Sequence, residues 1–332
     1  MVIIENTEIS QETTESLNQK KVVEALEKKI KEIYGSVVGA EKPVRNPDLM
    51  VRELRNRFKL IVPKHVVSLT IAAFLSNRPV LYEGPPGTGK TEIGEAILTL
   101  WAGKAAFVLP CSASYDEYRV IGDFHPLMAL KYGFNEQSFI PRPLLAAIVL
   151  DTGVLVDEIR RSNEEFQNLL LDIIDKRRII VPELKTVFRA KGLGFQIILT
   201  SNPEDIGQGE LSDAFLRRVV RIKFDYPSRD MEYEIIKLRT SHIDVNIPDI
   251  LLSKMIDVVN ILRKQALHKP GPADSVLWAT LAKHVASIAG RKVVNVNDIV
   301  ESAPIVLIKR GEDEDIVVDV VSKVFGASPW RK

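Results

Sequence analysis

Gly84-Pro85-Pro86-Gly87-Thr88-Gly89-Lys90-Thr91 is the stretch that decides the fold. It follows the apolar run Pro79-Val80-Leu81-Tyr82, a buried-strand pattern. It leads into a helical pattern with Ile93, Ala96, Ile97, Leu100 and Trp101 on one face. Strand, glycine-rich loop and helix in that order make GxxxxGK[ST] a phosphate-binding loop. Glycines let backbone N–H groups approach phosphate oxygens closely, and the helix N-terminus adds partial positive charge. In that reading Gly84, Pro85, Pro86, Gly87, Thr88, Gly89, Lys90, Thr91 and Glu92 bind nucleotide. Lys90 would reach the β- and γ-phosphates, and the Thr91 hydroxyl would hold Mg²⁺.

Working outward, apolar strands recur with helices between them. Lys104 to Leu109, Gly153 to Val156, Phe195 to Thr200 and Val219 to Phe224 are further strand candidates. Near-continuous apolar strands alternating with helices predict a parallel sheet covered on both faces. Ser162 and Glu165 predict a capping box at the start of a helix whose core face is Phe166, Leu169, Leu170, Ile173 and Ile174. Two stretches break the alternation. Residues 124–143 are loop-like and carry Tyr132, Phe134 and Phe139, while residues 177–191 predict a β-hairpin turning near Pro182 to Lys185.

Residues 5–18 are polar and predict a disordered tail, and residues 19–34 an amphipathic helix. Residues 35–46 read as a linker, and residues 50–76 as helices. After Pro227 only helical patterns remain, over 229–241, 249–267, 273–289, 297–309 and 313–325, with Asn297 as an N-cap. The division is therefore residues 1–35 as tail and helix, 36–226 as an αβα nucleotide-binding domain with insertions at 124–143 and 177–191, and 227–332 as a helical lid.

Composition excludes some classes. The 332 residues are 45% hydrophobic and 27% charged, as in a globular protein. The net charge of +1 gives no global basic excess to draw the chain to nucleic acid or to an anionic membrane. The longest strongly apolar run, Leu144 to Leu150, is too short to span a bilayer. Cys111 is the only cysteine, which forbids an intrachain disulfide and predicts a small core residue in a reducing, cytoplasmic setting. The N-terminus lacks the basic and apolar regions of a signal peptide.

Hydrolysis needs more than a phosphate loop. Asp157-Glu158 closes an apolar strand, where open α/β sheets bind ligands. Asp157 can hold the Mg²⁺ shell, and Glu158 can polarise an attacking water.

At this point the sequence resembles the AAA+ ATPases of the MoxR-type group, from about Lys59 to Arg310. Gly84 to Thr91 matches Walker A, and Val154 to Arg161 is similar to Walker B. Thr200-Ser201-Asn202-Pro203 resembles sensor 1, which implies that Asn202 orients the attacking water. Leu211 to Val219 resembles the segment carrying the arginine finger, with Arg218 leading and Arg217 second. The resemblance implies a five-stranded parallel αβα core with an all-helical lid. It implies ATP and Mg²⁺ as cofactors and a homo-oligomeric ring, usually a hexamer. It also implies a protein client, a chaperone-like or activating role and a von Willebrand A-domain partner. The two insertions fall where the family carries pore-side hairpins, so Tyr132, Phe134 and Phe139 either grip a polypeptide or pack within the hairpin. One departure is Ser275, which stands where the family's sensor 2 arginine opens a lid helix, leaving Lys269 as a nearby base. Two alternatives stay open. A nucleic-acid motor or loader would use Arg177, Arg178, Lys185, Arg189 and Lys191 of the second insertion, and a nucleotide-gated scaffold would bind ATP with little turnover.

Overall fold

A computed structural model describes residues 2–203 and 209–329, with side chains from Gln19 onward. The nine strands among these residues are β1 Val80–Glu83, β2 Phe107–Pro110, β3 Gly122–Phe124, β4 Phe139–Pro141, β5 Val154–Asp157, β6 Arg178–Val181, β7 Thr186–Arg189, β8 Ile197–Ser201 and β9 Val220–Lys223. The helices are α1 Val2–Val38, α2 Pro47–Phe58, α3 Lys64–Leu75, α4 Lys90–Ala102, α5 Glu117–Val120, α6 Pro126–Tyr132, α7 Pro143–Leu150, α8 Glu164–Lys176 and α9 Asp213–Leu216. Five more follow: α10 Arg229–Arg239, α11 Asp249–Gln265, α12 Pro272–Ile288, α13 Val296–Leu307 and α14 Glu314–Phe325.

The chain forms two compact units. The first holds residues 1–51, 63–83 and 91–222, and the second holds 52–62, 84–90 and 223–332. The first is built on a five-stranded parallel sheet in the order β2-β5-β8-β1-β9. Register runs Val80↔Ile198 between β1 and β8 and Val154↔Ile197 between β5 and β8. Both faces are covered, so Val80, Leu81, Tyr82, Val154, Leu155 and Val156 have no solvent exposure. Each such side chain contributes about 1.5–3 kcal/mol of transfer free energy, which is why these strands read as unbroken apolar runs.

The insertions differ in kind. Residues 178–189 are the hairpin expected over 177–191, β6 pairing antiparallel with β7 through Val181↔Thr186. The stretch predicted as loop-like is instead an antiparallel β3–β4 pair with α6 between the strands. Its short helix is hidden in the sequence because its large apolar residues face outward: Leu127 and Leu130 are both exposed, as is Phe134 just beyond it. Phe139 is buried, with Phe124 edge-on to it at 5.3 Å, so this aromatic belongs to the core and cannot grip a polypeptide.

Helix α1 corrects the N-terminal reading. It runs Val2–Val38, taking in the residues predicted as a disordered tail and the start of the predicted linker. No glycine or proline interrupts the sequence between residues 2 and 34, so nothing stops helix propagation. Its described part buries Leu26 and Ile30 and packs on α7 and β7. Lys29 Nζ donates to the carbonyls of Gln137 and Phe139 at 2.9 and 2.7 Å.

Two caps also differ from expectation. At α8, Asn163 accepts from the Phe166 N–H at 2.8 Å, while Ser162 Oγ donates back to the Ile159 carbonyl. Asn295, not Asn297, caps α13, in a reciprocal box with Asp298. In each case several capping-competent residues lie together. Ser162 and Asn163 are both extended, but the Ser162 hydroxyl is turned back to Ile159, whereas Asn295 is extended and Asn297 already lies inside α13.

The second unit is helical. Its core gathers Leu252, Val259, Leu262, Trp278, Ala282, Ile299, Val306 and Val321 from α11 to α14. Trp278 Nε1 donates to the Ile299 carbonyl at 2.9 Å, satisfying a buried donor. Among the described residues no helix is long and apolar enough to cross a membrane.

Candidate functional site

The phosphate loop belongs to the second unit by contact. Gly87 and Gly89 have φ of 71° and 84°, a backbone region open to glycine at little cost. Lys90 is buried, and its ammonium donates to the carbonyls of Gly84 and Pro85 at 2.8 and 2.7 Å. Thr88 Oγ1 also donates to the Pro85 carbonyl, at 2.9 Å. Glu92 is exposed in the first turn of α4.

Within the same unit the entry to α12 lies against this loop. The Ala273 N–H donates to the Gly87 carbonyl at 3.2 Å. A Cβ at Gly271 would stand 2.8 Å from the Pro86 oxygen, so only glycine fits. Ser275, at the expected sensor 2 place, is buried, and its hydroxyl donates to Glu232 Oε1 at 2.6 Å. The Glu232 carboxylate also receives Arg263 Nη1 and Nη2 at 2.7 and 2.8 Å. Ser275 is therefore a partner in a buried network, while Lys269 is exposed.

The first unit gathers the carboxylates. Asp157 ends β5 and Thr200 lies in β8, its neighbour in the sheet. Asp157 Oδ1 accepts two hydroxyls, from Thr91 at 2.7 Å and Thr200 at 2.6 Å. Thr200 Oγ1 in turn accepts the Glu158 N–H at 2.9 Å, so its donor and acceptor roles are both used. Glu158 has left-handed backbone, φ 55° and ψ 53°. For a residue with a Cβ that costs on the order of 1–3 kcal/mol and must be held by its surroundings. Its carboxylate meets Arg161 at 2.6 Å in a half-exposed pair.

Cys111 lies beside these acids, its N–H donating to the Asp157 carbonyl at 2.9 Å. Burial, with the charges of Asp157 and Glu158, pushes its thiol up to about 12. It is a neutral, buried group at physiological pH, not a nucleophile.

Asn202 directly follows β8, so the expected water-orienting residue comes just beyond the Thr200 hydroxyl. The two arginines differ. Arg218 Nε donates to both carboxylate oxygens of Asp175, at 3.0 and 2.8 Å, and its Nη1 to the Ala214 carbonyl at 2.8 Å. Arg217 is exposed. In the second insertion Arg177 donates to the carbonyls of Gly192 and Phe195, and Lys191 pairs with Glu27 at 2.6 Å. Those internal bonds thin the basic set that nucleic acid would need.

The structure thus brings Thr91, Asp157 and Glu158 together, and adds Thr200, which sequence reasoning quoted within a motif but gave no role. The signal was a hydroxyl at the end of a buried strand adjacent to the one that carries Asp157. What the arrangement offers chemically is a cluster of hard oxygen ligands next to a carboxylate able to accept a proton.

Residues 79–219 match the family model described as AAA domain (dynein-related subfamily). The Escherichia coli K12 uncharacterized protein YehL is 27% identical over 221 residues, 62% of this chain and 59% of YehL. An uncharacterized protein of Staphylococcus saprophyticus is 26% identical over 229 residues, 69% of this chain and 80% of that one. The gas vesicle ATPase GvpN of Ancylobacter aquaticus is 25% identical over 230 residues, 65% of this chain and 62% of GvpN. The chain therefore spans less than two thirds of YehL and of GvpN. Among solved structures, a point mutant of Thermotoga maritima RuvB superposes with a TM-score of 0.52 at 17% identity, over 82% of this chain and 80% of that one, a likeness of fold. Residues 79–219, the stretch that matches the AAA domain model, hold the phosphate loop, both carboxylates and both arginines.

Proposed function

We propose that this chain hydrolyses ATP with Mg²⁺, as a ring-forming ATPase of MoxR-like type that remodels or activates another protein. The observation that carries the reading is the convergence of the Thr91 and Thr200 hydroxyls on Asp157 Oδ1, beside Glu158. A phosphate-loop hydroxyl at 2.7 Å from a strand-end carboxylate is the pair of hard oxygen donors that suits Mg²⁺, which takes few protein ligands and shares the rest with phosphate and water. Thr91 and Asp157 would hold the ion, which would neutralise phosphate charge when bound.

The chain's own groups do the rest. Backbone N–H groups from Pro86 to Lys90 that carry a hydrogen would cradle phosphate oxygens, and Lys90 would exchange the carbonyls of Gly84 and Pro85 for phosphate. Glu158 would accept a proton from the attacking water, and Asn202 would orient that water. Arg217 or Arg218 would act on a neighbour's site. A homo-oligomeric ring, usually hexameric in such proteins, a protein client, a von Willebrand A-domain partner and a cytoplasmic setting complete the proposal. The matched AAA domain and the ATPase named among the relatives support it.

Steady-state phosphate release tests the reading. The wild-type chain should turn over Mg-ATP. Glu158→Gln should bind ATP with similar affinity and lose about 10²–10⁴-fold in turnover. Equal rates in the two proteins would refute the role of Glu158, and no release by either would refute hydrolysis.

A further inference from the structure

Glu83, the last residue of β1, is 2% exposed. A carboxylate so buried needs partners. It has two arginines. Arg221 Nε of β9 donates to Oε2 at 2.7 Å, and Arg160 Nη2 lies 3.5 Å from Oε1, which has no hydrogen-bond partner among the described residues. Arg160 does not spend itself on Glu83 alone. Its Nε donates to Ser201 Oγ at 2.7 Å, and its carbonyl accepts the Gly209 N–H at 3.0 Å.

These contacts have a direction. Arg160 lies in the single 3₁₀ turn Ile159–Arg161 that directly follows Glu158. Ser201 immediately precedes Asn202. One side chain therefore ties the turn after the proposed base to the strand end before the proposed water-orienting amide, and anchors both on the end of β1. The left-handed backbone of Glu158 needs such bracing, since the Thr200 bond fixes its N–H while the Arg160 bonds fix the turn that follows. A surface salt bridge would have no such consequence, but Arg160 is only 18% exposed and Glu83 only 3% by side chain.

We propose that Arg160 is a positioning residue for hydrolysis. By bridging Ser201 and Glu83 it holds Glu158 and Asn202 in register around the attacking water. The assignment rests on the hydrolysis reading above. Arg160 touches neither nucleotide nor water in this account and acts through Glu158 and Asn202.

The test compares wild type with Arg160→Gln, Arg160→Lys and Glu83→Gln in full-length protein. Turnover, equilibrium binding of a fluorescent ATP analogue and thermal melting are measured on each. Arg160→Gln should lower kcat about 10- to 100-fold, the size expected when reacting groups shift by about 1 Å. Analogue affinity should stay within about threefold and the melting temperature within a few degrees. Arg160→Lys should recover part of the loss, because an ammonium can reach one of the two partners but not fork between them. Glu83→Gln should fall between wild type and Arg160→Gln. Wild-type kcat in Arg160→Gln would overturn the assignment. So would a loss of binding or melting temperature that accounts for the lost turnover, since that marks a purely structural residue. No turnover by the wild-type chain overturns the hydrolysis reading itself, and this assignment with it.

Discussion

Asp157 Oδ1 accepts hydroxyls from two different elements, and this one atom shows how the site is assembled. Thr91 opens the helix after the phosphate loop, and Thr200 lies on the neighbouring strand. Only the first was legible in sequence, because the phosphate-loop pattern fixes a Ser or Thr at its last position. Thr200 carries no spacing rule of its own, and its role follows from β5 and β8 being adjacent, which a sequence does not display. Arg160 and Glu83 were hidden for the same reason: each is an ordinary charged residue near the end of an apolar strand. Thr200→Val keeps the shape but removes both polar roles. It should leave the Glu158 N–H without its partner and cost about 1–3 kcal/mol. Differential scanning calorimetry should show the first unit melting earlier, and turnover should fall with it. An unchanged melting temperature would mean that the Thr200 hydroxyl is dispensable.

At the scale of elements, the sheet was legible because buried strands need unbroken apolar runs, and β1, β5 and β8 have them. The helices of the second unit fall within three residues of the periodic patterns. What escaped depends on local backbone choice or on outward-facing apolar residues, as with Asn163 over Ser162, Asn295 over Asn297, and α6. The contact between Gly271 and the phosphate loop also escaped, since nothing marks a glycine as one that needs room. The second unit has its own polar clasp. Asp313 accepts the N–H groups of Leu267 and His268 at 2.8 and 2.9 Å, and meets His268 Nδ1 at 3.0 Å. Burial raises its pKa, but the backbone bonds from His268 and Leu267 outweigh it, so the carboxyl sits below the usual range. A depressed carboxyl stabilises the fold above its unfolded pKa near 3.9, and that stability drains away as pH falls through the folded value. Asp313→Asn should therefore cost about 1–3 kcal/mol at pH 7, measured by denaturant unfolding. The gap from wild type should narrow below about pH 4. A constant gap across that range would show that charge is not what Asp313 contributes.

At the scale of the molecule, Arg217 and Arg218 are the residues that one chain cannot explain. Arg218 is engaged by Asp175 within its own unit, whereas Arg217 is exposed. If the proposed ring places a finger from each subunit in the next subunit's site, then phosphate loop and finger belong to different chains at every working site. Subunit mixing tests this together with hydrolysis itself. Glu158→Gln subunits lack the base but keep the finger, and a double Arg217→Ala, Arg218→Ala subunit keeps the base but lacks the finger. Each variant alone should release phosphate from Mg-ATP at no more than about a hundredth of the wild-type rate. Mixed in equal amounts, they should recover on the order of a quarter of it, because roughly one interface in four then joins an intact base to an intact finger. A mixture no more active than its components, or an arginine variant as fast as wild type, would contradict an ATPase site shared between subunits.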